Sequence, residues 1–291
     1  MAQAYLSIAR IVLGIIVALA LIGCEEGGEM NSPDSTPVSP IAQYRLTTDR
    51  LFSQYVEEDY DLLLYLPPGH DQTHDSFPVV YALDMAFQSQ QQAIDATLAT
   101  LAQDVIVVGL GNPDDRDRDY TPDRGSTTPE GHGGAANFYN FLVFELLPYI
   151  DANYHTDVDN RTLIGHSYGG LFTLFALFSE GLDQRHFNAF IASSPTIGFA
   201  AELLADMEAA MFERSRDLPV TLHLSTGQEG PLTNECQAMA ALLVSRGYNH
   251  FLLMMSEFPA SHMGNIKPSY RQGLQLVYGI KPAPRAPFPR S

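Results

Sequence analysis

Basic residues are scarce. In a chain of 291 residues, sixteen Lys and Arg stand against thirty-four Asp and Glu, a formal charge of −18 at pH 7. The positive footprint that nucleic acid or an anionic membrane surface requires is missing, and both are excluded as partners. Cysteine is scarcer still, and Cys24 and Cys236 alone cannot make a disulfide framework. Metal motifs are lacking as well. His70 and His74 have helical spacing, but they follow Pro67-Pro68-Gly69 and enclose no Glu, so they form no zinc pair. The acidic run Asp114 to Asp119 would need Gly at Tyr120 and Glu at Ser126 to be a calcium loop starting at Asp115. Its own Arg116 and Arg118 can neutralise it locally, and it reads as a salt-bridged loop. Apolar residues are not lacking: at 45% of the chain they exclude a disordered or collagen-like protein.

Long apolar runs are nearly absent. The exception is Ile11 to Ile22, behind a short segment whose only charge is Arg10. It is too short to span a bilayer comfortably and long enough for the hydrophobic part of a signal peptide. It ends in Leu21-Ile22-Gly23-Cys24, which resembles the lipobox of bacterial lipoproteins. The resemblance implies removal of residues 1–23, a diacylglyceryl group on Cys24 and a membrane-anchored, exported protein. A plain signal peptide or an uncleaved anchor would export it too. Glu25 is not the Asp that favours inner-membrane retention in such lipoproteins, so for a Gram-negative source the resemblance implies the outer membrane, facing periplasm or surface. Residues 24–40 turn to Glu, Gly, Pro, Ser, Asp and Thr and read as a flexible tether. With Cys24 acylated, Cys236 is expected to be a buried small hydrophobe.

From residue 41 onward, short apolar segments at Tyr60 to Leu66, Pro78 to Leu83, Val105 to Leu110, Thr162 to Ile164, Ala189 to Ala192, Val220 to Leu224 and Phe251 to Met255 alternate with helical stretches. The helices are expected near Gln88 to Ala102, Ala136 to Ile150, Gly169 to Ser179, Ala200 to Arg214, Asn234 to Arg246 and Pro268 to Tyr278. Near-continuous apolar strands joined by helical crossovers call for an α/β fold, a mostly parallel central sheet with helices on both faces. No internal repeat or second boundary interrupts residues 41–280, which read as one domain. Residues 281–291 carry four prolines and read as a disordered tail.

The strongest chemical signal is Gly165-His166-Ser167-Tyr168-Gly169-Gly170, preceded by a strand-like Thr162-Leu163-Ile164 and followed by an apolar helix. This is G-x-S-x-G in strand–turn–helix context, the nucleophile elbow, with Ser167 as nucleophile. On such a scaffold the partners follow in the order serine, acid, histidine. His262, in the loop after the last strand, is the expected base. The acid belongs after the penultimate strand, where Gly227-Gln228-Glu229-Gly230 presents Glu229; Glu235 and Glu257 remain alternatives. An oxyanion hole needs the N–H of Tyr168, after the nucleophile, and a second from the loop after an early strand, assigned to Met85. No cofactor or metal is called for.

The chain resembles the esterase family of α/β-hydrolases that includes S-formylglutathione hydrolases, mycolyltransferases, feruloyl esterases and ferric-siderophore esterases. The likeness rests on Tyr65-Leu66-Pro67-Pro68-Gly69, Pro78 to Asp84, Arg118-Asp119-Tyr120-Thr121-Pro122, Glu145 to Ile150 and the elbow. The Asp-Tyr-Thr-Pro and Glu-Leu-x-Pro-Tyr-Ile blocks are most similar to the siderophore-esterase branch. Met85-Ala86 departs from the glycine that often follows this family's Leu-Asp. The resemblance implies an α/β-hydrolase that cleaves a small-molecule carboxylic ester through an acyl-enzyme. A peptidase or acyltransferase on the same residues, or a non-catalytic surface binding lipoprotein, would share these features, and the oligomeric state is left open.

Overall fold

The computed structural model describes residues 43–111, 114–181 and 185–280. Residues 1–23, Cys24, the tether and residues 281–291 lie outside them. Chain order is β1 (Arg45–Phe52), β2 (Asp59–Leu66), β3 (Phe77–Ala82), α1 (Gln88–Leu98), β4 (Ile106–Gly111), α2 (Arg116–Tyr120), α3 (Ala135–Phe141), α4 (Leu147–Asn153), β5 (Thr156–His166), α5 (Tyr168–Ser179), β6 (Ala189–Ser193), α6 (Ala201–Arg214), β7 (Thr221–Thr226), α7 (Pro231–Arg246), β8 (Leu252–Glu257) and α8 (Ile266–Tyr278). The strands form one eight-stranded sheet in the order β1-β2-β4-β3-β5-β6-β7-β8. β2 is antiparallel to both β1 and β4, and every other neighbouring pair is parallel.

Period-two alternation sends successive side chains to opposite faces, so strands buried on both sides must be apolar throughout. In β3, Val79 and Tyr81 join the cluster beneath α3 to α7, with Phe138, Phe172, Leu204 and Leu243. Val80 and Ala82 join the opposite cluster with Ile94 and Leu98 of α1 and Tyr270 and Leu274 of α8. Helix α5 is buried from Gly169 to Phe178, as a helix apolar on every side must be. Strand β3 is flanked by β4 on one side and β5 on the other. The chain reverses direction across the sheet there, and such a reversal opens a crevice at the carboxyl ends of the strands. Asp84 follows β3 into that crevice, and Ser167 follows β5.

The expected helix over Ala136 to Ile150 is not uniform. A π turn, Leu142–Leu146, separates α3 from α4, and Leu147 N–H reaches back five residues to Leu142 O. Pro148 has no N–H to return to Phe144 O, so the α pattern cannot run on unbroken. Among the described residues no helix is long and apolar enough to cross a membrane.

His223 of β7 is fully buried, its Nε2 3.3 Å from Ser256 Oγ and 3.2 Å from Gln272 Oε1. Burial pushes its imidazole down from 6.5 to about 4. The folded chain therefore takes up this proton only near pH 4, the unfolded chain near 6.5. The stability so conferred is complete above 6.5 and is lost as the pH falls towards 4. His223→Gln is expected to flatten the stability–pH slope in that window by about 1.4 kcal/mol per pH unit. Urea unfolding at stepped pH measures it; a slope equal to the parent's would remove His223 from the titrating set.

Candidate active site

Ser167 stands where β5 turns into α5, at φ 60° and ψ −118°. That conformation costs a residue with a side chain about 1–3 kcal/mol and persists only where neighbours fix it. Ser167 N–H donates to Ser193 O at 3.0 Å, while Thr196 and Leu171 N–H donate to Ser167 O at 3.2 and 2.9 Å. The elbow glycines are needed for space. A Cβ on Gly165 would lie 2.3 Å from the carbonyl oxygen of Gly169, and one on Gly170 would lie 2.9 Å from that of Ser193. Ser167 Oγ itself lies 3.3 Å from Thr196 Oγ1.

Of the candidate acids, Glu229 is the one beside His262, with Oε2 2.5 Å from Nδ1. The Glu229 side chain is 8% exposed and that of His262 35%, so the contact is sheltered while the imidazole still reaches the crevice. Glu229 Oε1 accepts from Ser194 Oγ–H at 2.6 Å and from Gly227 N–H at 2.7 Å. Burial alone would raise this carboxyl, but hydrogen bonds from Ser194, His262 and Gly227 outweigh it and hold the group below the usual carboxylate range. An ionised Glu229 can only accept, so Nδ1 of His262 carries the proton and Nε2 is left as a base. Glu235 instead accepts Gly198 N–H at 2.8 Å, and Glu257 meets Gln237 Nε2 at 3.5 Å.

His166, the variable position of the elbow motif, carried no signal in the sequence. Its ring lies 4.4 Å from that of His262, and its Nε2–H donates to the His262 carbonyl at 2.9 Å. Burial, reinforced by the neighbouring His262, lowers it to about 4. It is uncharged at neutral pH, and it ties the histidine loop to the serine elbow.

The assignment of Met85 to the oxyanion hole needs correction. Met85 N–H donates to Leu110 O at 2.7 Å, and its side chain is buried where a Cβ on Gly109 would meet it. Its amide is tied to the neighbouring strand and is not free for a substrate. The residue that reaches the elbow from this turn is Asp84, at φ 62°. Its buried carboxylate accepts from Arg116 Nε at 2.9 Å and Nη2 at 3.1 Å. The Arg116 guanidinium stands 5.6 Å from the Tyr168 ring and 5.7 Å from that of Tyr120. The acidic run is therefore only partly neutralised from within: Arg118 pairs with Asp115, Asp119 and Glu58, whereas Arg116 pairs with Asp117 and also reaches Asp84 in the turn after β3. Tyr168 opens α5, where the first N–H groups of a helix lack intrahelical acceptors. Its ring packs edge-on against Phe199 and His132, forming a wall beside the nucleophile.

A model of the family described as "Putative esterase" matches residues 53–229, a stretch that holds Ser167 and Glu229 and stops short of His262. The chain belongs to this esterase family. Among curated relatives, the ferri-bacillibactin esterase BesA of Bacillus subtilis is 33% identical over 143 residues, 42% of this chain and 48% of that protein. A siderophore triacetylfusarinine C esterase of Aspergillus fumigatus is 34% identical over 133 residues, 41% of this chain and 44% of that protein. The chain thus spans about half the length of the curated relatives it matches. Among solved structures, an IroE-like serine hydrolase from Shewanella oneidensis superposes with a TM-score of 0.70 at 23% identity, covering 80% of each chain. The siderophore hydrolase EstA from Aspergillus nidulans gives 0.69 at 20%, covering 84% of this chain and 98% of its own. The chain thus has the α/β-hydrolase fold.

Proposed function

We propose that this esterase hydrolyses siderophore esters by an acyl-enzyme route, with Ser167 as nucleophile, His262 as base and Glu229 as the triad acid. The observation that carries the reading is the sheltered Glu229–His262 pair, 2.5 Å apart, on loops next to a strained serine elbow. Ser167 Oγ attacks the ester carbonyl carbon as its proton passes to His262 Nε2. The oxyanion meets Tyr168 N–H at the start of α5. Collapse breaks the bond to the alcohol oxygen, which takes the proton from His262 and departs, while the acyl group stays on Ser167 Oγ. Water, deprotonated by His262, then releases the acid and restores the serine. Glu229 stabilises the imidazolium in both halves, and no step requires a cofactor.

Two features support a bulky ester. A cavity of about 530 Å³ opens beside Phe199, lined by Asp123, Arg124, Thr127, Glu202, Leu203 and Asp206 among others. The rings of Tyr168 and Phe199, with the Arg124 guanidinium 4.2 Å over that of Phe199, offer such a substrate an aromatic face. Two relatives are named a ferri-bacillibactin esterase and a siderophore triacetylfusarinine C esterase. The test compares kcat/KM for a ferric catecholate trilactone, a ferric hydroxamate ester, a feruloyl sugar and short-chain nitrophenyl esters. The expected result is a preference of about a hundredfold or more for a ferric siderophore ester. Preference for the feruloyl sugar would overturn the substrate, and no hydrolysis of any ester would overturn the reaction.

The proposal includes a lipid anchor on Cys24 and residence at the outer membrane. Cys24→Ser is expected to move the protein from the membrane fraction to a soluble or precursor form. An intact mass without a diacylglyceryl adduct on the parent would reduce the segment to an ordinary signal peptide or anchor.

A further inference from the structure

The turn that ends β6, Ser193-Ser194-Pro195-Thr196, touches both the nucleophile and the acid. Ser193 and Thr196 hold the Ser167 backbone from either side, and Thr196 Oγ1 lies 3.3 Å from Ser167 Oγ. Between them, Ser194 is fully buried at φ 41°. A glycine would hold that conformation without strain, so a side chain there signals a use for the side chain. Ser194 N–H donates to Ser225 O at 2.7 Å, fixing the residue to β7, the strand from which Glu229 hangs. Asn265, also fully buried, donates Nδ2–H to Ser194 Oγ at 2.7 Å and to Ser193 Oγ at 3.4 Å. Its own N–H donates to Ser261 O at 2.9 Å, in the loop that carries His262. With Asn265 donating to the hydroxyl oxygen, the single Ser194 proton goes to Glu229 Oε1 at 2.6 Å.

We propose that Ser194 is a positioning residue for the triad acid: its hydroxyl, seated by Asn265, pins Glu229 Oε1 and thereby aims Oε2 at His262 Nδ1. The inference rests on the triad reading above. It goes beyond it in assigning a role to a residue outside the triad, held through a strained backbone and a relay from Asn265 to Ser194 to Glu229. Gly227 N–H also restrains Oε1, so losing the hydroxyl should loosen the carboxylate rather than release it.

Ser194→Gly and Ser194→Ala, each in the parent and in Glu229→Gln, are assayed on a nitrophenyl ester beside thermal melts of the full chain. Both are expected to lower kcat about 10- to 100-fold, the worth of one hydrogen bond to a charged group. KM should stay within about twofold, because the change acts on the transition state and not on uniform binding. Ser194→Gly should melt no lower than Ser194→Ala, since both lose the hydroxyl and the glycine backbone suits φ 41°. In Glu229→Gln neither substitution should lower kcat further. Parental kcat in Ser194→Gly would overturn the proposal, as would a loss of the same size in the Glu229→Gln background. Parental activity of Glu229→Gln itself would overturn the triad reading, a separate and distinguishable failure.

Discussion

Ser167→Ala is expected to lower turnover on an aryl ester about a million-fold while leaving the fold intact. Alanine meets the same backbone strain as serine at φ 60°, and the hydrogen bonds that fix the elbow come from backbone atoms of Ser167, Ser193, Thr196 and Leu171. What is lost is one hydroxyl, whose side-chain partner is Thr196 Oγ1 at 3.3 Å. The His262–Glu229 pair would remain with no oxygen to deprotonate. Remaining hydrolysis would come from binding and oxyanion stabilisation alone. His262→Ala should cost a comparable factor, because an unassisted serine is a poor nucleophile. His74→Ala serves as the control, since His74 packs against His155 just ahead of β5, away from the carboxyl ends of the strands. Steady-state rates with matched thermal melts measure all three. More than about 1% of parental rate in Ser167→Ala would remove the elbow from the chemistry.

What was legible in the sequence follows from range. The inner strands were readable because burial on both faces forces an unbroken apolar run, and β3 and β6 fall within a residue or so of expectation. β1 was not foreseen: as an edge strand whose residues are exposed or half-buried throughout, it has no apolar period to read. The Ser167 elbow carries a local signature because its turn needs glycine at fixed offsets. Glu229 and His262 were reachable by chain order alone, and their contact joins loops 33 residues apart. Met85 failed for the complementary reason. Whether an amide is free depends on Leu110, in a strand the sequence cannot register against its neighbour. His166, Ser194 and Asp84 were invisible because their roles arise from a positive φ or a neighbour's carbonyl; Ser has no claim to such backbone angles, and the enrichment of Asp there singles out no one of the chain's many Asp.

Glu229→Gln separates the triad from a serine–histidine dyad. In the parent, Oε1 accepts two donors, Ser194 Oγ–H and Gly227 N–H, and Oε2 accepts from His262 Nδ1. A glutamine has one carbonyl oxygen and one NH2, and the two donors require that oxygen on the Ser194 side. The NH2 must then face His262 Nδ1, which can receive it only as a bare acceptor. The imidazole proton is driven to Nε2, the nitrogen that has to take the proton of Ser167, and no carboxylate remains to stabilise the imidazolium. The expected loss in kcat is about a thousand- to ten-thousand-fold, with KM nearly unchanged and the melting temperature close to that of the parent. Glu235→Gln and Glu257→Gln should stay near parental rates, because Glu235 serves the amide of Gly198 and Glu257 meets Gln237. If Glu229→Gln were nearly fully active and one of these two crippled, the role of acid would pass to that residue. If all three kept parental rates, His262 would be oriented without any of these carboxylates, and the sheltered pair would be structural.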